Sequence, residues 1–157
     1  MQKITTFLWF DGQAEEAANF YTSLFKNSGI VNKMPGNNEI PGSDGKPLGV
    51  TFQLEGQEYV ALNGGPHYKF TPAISLFISC ENQQEVDYFW DHLVDGGAPV
   101  QCGWLTDKFG LSWQVVPAIL GKLMSDPDRE KASRVANAMM QMVKLDVDKL
   151  QAAYDGK

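Results

Sequence analysis

The spacing of apolar and polar positions changes period along the chain, and each change marks an element. Ile4 to Phe10 is apolar-rich and predicts a strand. Asp11-Gly12 stops it, with Asp11 placed to cap the next element. Gln13 to Phe25 then carries Ala14, Ala17, Phe20, Tyr21, Leu24 and Phe25 at helical spacing on one face. Asn27-Ser28-Gly29 breaks that helix, and Ile30 to Met34 reads as a short strand. Residues 35–48, PGNNEIPGSDGKPL, are loop by composition, either a lid or binding loop or a plain hairpin tip. Val50 to Leu54 and Tyr59 to Leu62 form a hairpin about Glu55-Gly56, and Asn63-Gly64-Gly65-Pro66 closes the first half.

The second half repeats the order. Ile74 to Ser79 is a strand, Asn82-Gln83-Gln84-Glu85 is a capping box, and a helix runs from there to about Val94, where Gly96-Gly97 ends it. Val100 to Leu105 and Leu111 to Val116 are strands. The tail is helical: Pro117 to Met124, then Arg129 to Val143 with Asp126-Pro127 as its start signal, then a last helix capped by Asp146. On the middle helix Ala132, Val135, Ala136, Met139 and Val143 share a face, and Met139, Met140 and Met142 suggest adaptable packing against the sheet or a second subunit. With an offset of 69, Phe7 and Leu8 fall on Leu76 and Phe77, and Ala17, Phe20, Tyr21 and Leu24 fall on Val86, Phe89, Trp90 and Leu93. The same offset pairs Thr6 with Ser75. A repeat of this length decides the architecture: two similar modules, 1–66 and 71–117, with a helical tail over 118–157.

Composition narrows the function. At 157 residues, 43% hydrophobic and 11% aromatic, the chain is one domain or two small modules sharing a core. A net charge of −6 with no basic stripe argues against nucleic acid. No apolar run approaches the roughly 18 residues of a membrane span, and the N-terminus turns polar too soon for a signal peptide, so the expected location is the cytoplasm. Cys80 and Cys102 are too few for a disulfide framework and read as reduced, buried thiols. His67 and His92 are the only histidines, which limits metal chemistry. His67, in the segment between modules, is the one candidate for acid–base work near neutral pH.

Candidate chemistry gathers in Gln101 to Pro117. Gln114 is an amide in an otherwise apolar strand and needs a partner, either another side chain or a ligand. Strand alternation puts Trp113 on the opposite face, which leaves Trp104 as the wall against which a planar molecule would lie. Asp107 sits at the preceding turn, where a carboxylate ordinarily caps backbone amides.

Residues 6–25 (TFLWFDGQAEEAANFYTSLF), 62–66 (LNGGP), 73–93, 101–117 and 138–154 together resemble the PhnB-like, or 3-demethylubiquinone-9 3-methyltransferase-like, branch of the vicinal oxygen chelate superfamily. The resemblance implies an α+β fold: two βαβββ modules forming a cupped mixed sheet of the glyoxalase type, followed by C-terminal helices. It also implies a homodimer. Metal-using members hold a divalent ion at strand positions that fall here near Ile4 to Thr6, near Asn63, at Ser75 and at Gln114. Only Gln114 among these is a plausible ligand, so no catalytic metal is expected. The glycine pairs Gly64-Gly65 and Gly96-Gly97 lack the strand–loop–helix setting of an S-adenosylmethionine site. The expected function is binding of a small hydrophobic or aromatic molecule by Thr6, Asn63, Ser75, Trp104 and Gln114, without cofactor. The alternative is a metal-dependent lyase or dioxygenase that recruits a ligand such as His67.

Overall fold

Strand and helix follow the predicted order in both halves of the computed structural model, which describes residues 2–36 and 45–157. The chain divides into two units, Met1–Phe70 and Thr71–Lys157, so the helical tail belongs with the second module. The suggested lid or hairpin tip falls largely on 37–44, outside the described residues.

The first unit runs β1 (Thr6–Phe10), α1 (Ala14–Leu24), β2 (Gly29–Met34), β3 (Gly49–Leu54) and β4 (Gln57–Asn63). Its sheet has the order β1-β4-β3-β2, with β1 parallel to β4 and the other pairs antiparallel. The β3–β4 hairpin turns on Glu55 and Gly56, both at positive φ (49° and 85°), as a two-residue connection demands. One face of the sheet is covered by α1. Leu8, Phe10, Val50, Phe52 and Ala61 meet Ala14, Ala17, Ala18, Tyr21 and Leu24 there, all buried. Tyr21 and Phe52 are fully buried. Each contributes about 1.5–3 kcal/mol by leaving water. The expected Asp11 cap is not used: Gln13 is the N-cap and its side chain makes no capping bond. Instead Asn63, at the end of β4, reaches across, and its Oδ1 accepts from Ala14 N at 2.9 Å.

The second unit runs β5 (Ser75–Cys80), α2 (Gln83–Val94), β6 (Ala98–Pro99), β7 (Trp104–Thr106) and β8 (Ser112–Pro117), then α3 (Ala118–Met124), α4 (Arg129–Met140) and α5 (Val147–Asp155). Its sheet, β5-β8-β7-β6, copies the first in order and direction. Asn82 caps α2 as predicted, accepting from Glu85 N at 2.9 Å. Gly96 leaves the helix at φ 78°. The predicted strand Val100–Leu105 is interrupted. Residues 100–103 form a turn in which Cys102 takes φ 61° and Gly103 φ 83°, and only Trp104 onward is strand.

The tail differs from expectation at two points. The cap of α4 is Asp128, accepting from Glu130 N and Lys131 N, whereas Asp126 accepts from Asp128 N and from the Tyr154 hydroxyl at 2.6 Å. That helix ends at Met140, and Val143 lies beyond it, where its carbonyl accepts from Gly103 N at 2.8 Å. Cys102 N donates to the Met142 carbonyl in the same way. Two backbone amides of the 100–103 turn are therefore satisfied by the tail and not by a neighbouring strand. Val116, Leu120, Leu123, Val135, Leu145 and Leu150 form the tail's core, with Met139 and Met142 packed on it and Met140 exposed. Gln83 ties the tail to the start of α2, donating to Leu145 O and accepting from Val147 N, and Lys144 pairs with Asp87 and Asp91. Among the described residues no helix is long and apolar enough to cross a membrane.

Candidate functional site

Alternation and register decide which side chains share a face of the second sheet. Leu105, Trp113, Val115, Ile78 and Cys80 are buried on the side that α2 covers. The opposite face carries Ser75, Phe77 and Ser79 of β5, Ser112, Gln114 and Val116 of β8, and Trp104 and Thr106 of β7; Ser112 and Val116 are buried, Val116 in the core of the tail. Phe77 is in register with Gln114 on one side, and Trp104 is in register with it on the other. Gln114 and Trp104 are half-buried, and Phe77 is 59% exposed. The Gln114 amide Nε2 donates to Ser75 Oγ at 2.9 Å. Thus the amide has a side-chain partner, as a buried polar group requires, and is still partly reached by solvent. Aromatic rings stand on either side of a hydrogen-bonded amide–hydroxyl pair, and among the described residues no strand residue on this face is charged.

Of the five residues predicted from sequence, this face holds Ser75, Trp104 and Gln114 together. Thr6 and Asn63 belong to the first unit and stand on the face of its sheet that packs α1, in line with Leu8, Phe10, Tyr59 and Ala61. Asn63 is fully buried, and both ends of its amide are engaged, Oδ1 with Ala14 N and Nδ2 with Pro47 O at 2.9 Å. The physical reason is register. Both first strands end at matching points, Phe10 and Cys80, so the strands align at an offset of 70 while the helices keep 69. A one-residue slip exchanges the faces of a strand. The counterpart of Ser75 is therefore Thr5, and Thr6 corresponds to Leu76. Exposure confirms the corrected alignment: Ile4 is 87% exposed and Ile74 70%, and Phe7 is 58% exposed and Phe77 59%. Phe77 was missed from sequence for this reason, although its pairing with Phe7 at an offset of 70 was a legible signal.

The other candidates resolve individually. Trp113 is buried and its indole Nε1 donates to Asp107 Oδ2 at 2.8 Å. Asp107, 2% exposed, also accepts from Phe109 N and Leu111 N, the capping role expected of it. Burial, aided by the Glu85 carboxylate, pushes the Cys80 thiol up to about 12, so it is held as the neutral thiol. Cys102 is half-buried rather than buried. His67 is exposed, and His92 Nδ1 donates to Tyr88 O at 2.7 Å. Among the described residues, no three His, Cys, Asp or Glu side chains gather as a metal site. Gln114 and Ser75 are neutral oxygen and nitrogen donors already bonded to each other, a set that does not fit a catalytic transition ion. The glycine pairs serve packing. A Cβ on Gly64 would come within 2.4 Å of the Trp9 ring, and one on Gly97 within 2.0 Å of Thr106 O.

Comparison with known proteins places this geometry. A family model described as 3-demethylubiquinone-9 3-methyltransferase matches residues 2–116. It stops just short of the end of β8, so the 138–154 segment counted in the resemblance lies outside the matched span. A solved structure from Bacillus cereus, described as a putative 3-demethylubiquinone-9 3-methyltransferase and PhnB protein, is 43% identical, with a TM-score of 0.69 over 74% of this chain and 100% of its own. A Pseudomonas aeruginosa protein structure shares the fold at 18% identity, with a TM-score of 0.62 over 74% of this chain and 98% of its own. Curated proteins give no significant match. With the family model spanning both βαβββ modules, the chain belongs to the 3-demethylubiquinone-9 3-methyltransferase family, in its PhnB-like branch.

Proposed function

We propose that the chain is a small-molecule-binding protein of the glyoxalase-like fold whose ligand, a hydrophobic or aromatic molecule, lies on the open face of the second sheet. One observation carries this reading: Phe77 and Trp104 flank the Gln114–Ser75 pair on a face free of charge. Apolar walls around a few convergent polar groups are the usual make-up of a ligand site. Aromatic side chains left in water at that spot gain free energy when a ring covers them. The family description names a methyltransferase. The two glycine pairs that would have to serve a nucleotide-type cofactor are accounted for by Trp9 and by Thr106, which favours binding without that cofactor. The proposal includes a homodimer, because Ile4, Phe7 and Ile74 are exposed apolar side chains that a second copy would cover.

The test is a titration with N-phenyl-1-naphthylamine, a neutral probe that fluoresces in apolar surroundings. Saturable binding is expected, weakened about tenfold by Phe77→Ala or Trp104→Ala, in keeping with the loss of an aromatic wall. Binding that both variants leave unchanged, with melting temperatures preserved, would remove the site. Sedimentation equilibrium should show a dimer at micromolar concentration, and a monomer would overturn that part.

A further inference from the structure

The Gln114–Ser75 pair also limits what kind of molecule the face accepts. Gln114 Nε2 donates to Ser75 Oγ at 2.9 Å, so the serine oxygen is used as an acceptor and its own hydrogen is left to donate. Gln114 Oε1 has no partner among the described residues and is left to accept. Turning the amide over exchanges these roles: Oε1 would take the serine hydrogen, and the amide nitrogen would donate outward beside a serine lone pair. In either arrangement the pair presents, besides one further amide hydrogen, an unused donor and an unused acceptor side by side and uncharged.

The surroundings set the rest. Beside the buried Ser112 and Val116, the face carries Ser75, Phe77, Ser79, Trp104, Thr106 and Gln114, and none of these bears a charge. A carboxylate or ammonium group brought against Phe77 and Trp104 would lose hydration with no counter-charge in return. A ring bearing only an acceptor would leave Gln114 Oε1 covered and unpaired, and a hydrocarbon would leave both polar groups so. Resting on the ligand site proposed above, we infer that the ligand class is an uncharged planar ring with a hydrogen-bond donor and acceptor on adjacent atoms, as in a lactam or cyclic amide. Its ring lies between Phe77 and Trp104, and its polar edge pairs with Gln114 and Ser75.

Calorimetric titration of the full chain with three compounds of similar size tests this: 2-quinolone, 2-methoxyquinoline and naphthalene-2-carboxylate. The first has the adjacent donor and acceptor, the second lacks the donor, and the third is charged. 2-Quinolone is expected to bind about tenfold more tightly than either of the others, the worth of one well-made hydrogen bond. Ser75→Ala and Gln114→Leu should bring it down to the level of 2-methoxyquinoline. Equal binding of the three compounds, or tighter binding of either control, overturns the ligand class. If Phe77→Ala still weakens them all, the site itself survives. Failure of all three compounds together with N-phenyl-1-naphthylamine overturns the site as well.

Discussion

The buried Asp107 carboxylate is the most consequential polar group in the second unit, and Asp107→Asn isolates its role. Its Oδ1 accepts from Phe109 N at 2.9 Å and Leu111 N at 3.0 Å, and its Oδ2 accepts from the Trp113 indole at 2.8 Å. A carboxylate accepts at both oxygens, whereas an amide accepts at one and donates at the other. Asparagine can therefore serve the two backbone amides or the indole, and whichever it abandons faces a second donor. Leu111 and Trp113 are each 2% exposed, so water does not replace the missing acceptor. The loss is one charge-assisted bond plus an unpaired buried donor, about 2–3 kcal/mol. Against a total stability of about 5–15 kcal/mol this is a large shift in a urea melt read at constant m. The sharper assay is a double-mutant cycle with Trp113→Phe, which removes the indole donor. In that background Asp107→Asn should cost about 1.5–3 kcal/mol less than in the wild type. Additive effects, or a single Asp107→Asn within about 0.5 kcal/mol of wild type, would refute the account of why this turn closes.

The two cysteines should react differently. Cys80 is buried with its thiol pushed up to about 12, so iodoacetamide at about pH 8 should label Cys102 and spare Cys80 until the chain unfolds. Equal labelling of both peptides by mass spectrometry would contradict this. The tail should loosen in acid. Hydrogen bonds from Gln83 and Lys144 hold the Asp87 carboxyl below its ordinary range, and those from Tyr154 and Asp128 N do the same for Asp126. A carboxyl lowered by folding binds fewer protons in the native state. Its contribution is complete above the ordinary aspartate value near about 4 and drains away as pH falls through the lowered values. Both groups are only half-buried and reached by solvent, so the effect is small. A melting temperature that falls between about pH 4 and pH 2, with a shallower fall in the Asp87→Asn/Asp126→Asn double variant, is the expected result. Identical slopes would count against the linkage.

Much of the fold was legible because period and punctuation agree. The helical face of Ala14, Ala17, Tyr21 and Leu24 and the Asn82 and Asp146 caps all appear as read. What escaped depends on partners far away in sequence. Asn63 caps α1 from 49 residues away, and no local rule favours it over Asp11. The interruption at residues 100–103 looks like strand until Met142 and Val143 offer it carbonyls from the tail. The candidate site was half legible. Gln114 announces itself as an amide among apolar neighbours, and alternation sends Trp113 to the other face. Thr6 and Phe77 were misassigned because a repeat judged by pattern tolerates an error of one residue, and a strand does not.

That one-residue difference has a definite location. Three residues, 11–13, link β1 to α1, and two, 81–82, link β5 to α2. The extra residue falls in the stretch where Gly12 adopts φ 80°. Here the halves differ by an insertion. A chimera that crosses over within these strands must join them at an offset of 70, and one that crosses over within the helices at 69; a strand joined at the helix offset enters its new sheet with the wrong face inward. A tandem duplicate built from the first half would inherit the longer link twice, and one built from the second would inherit the shorter. Either would restore a single frame to what is now a two-frame repeat.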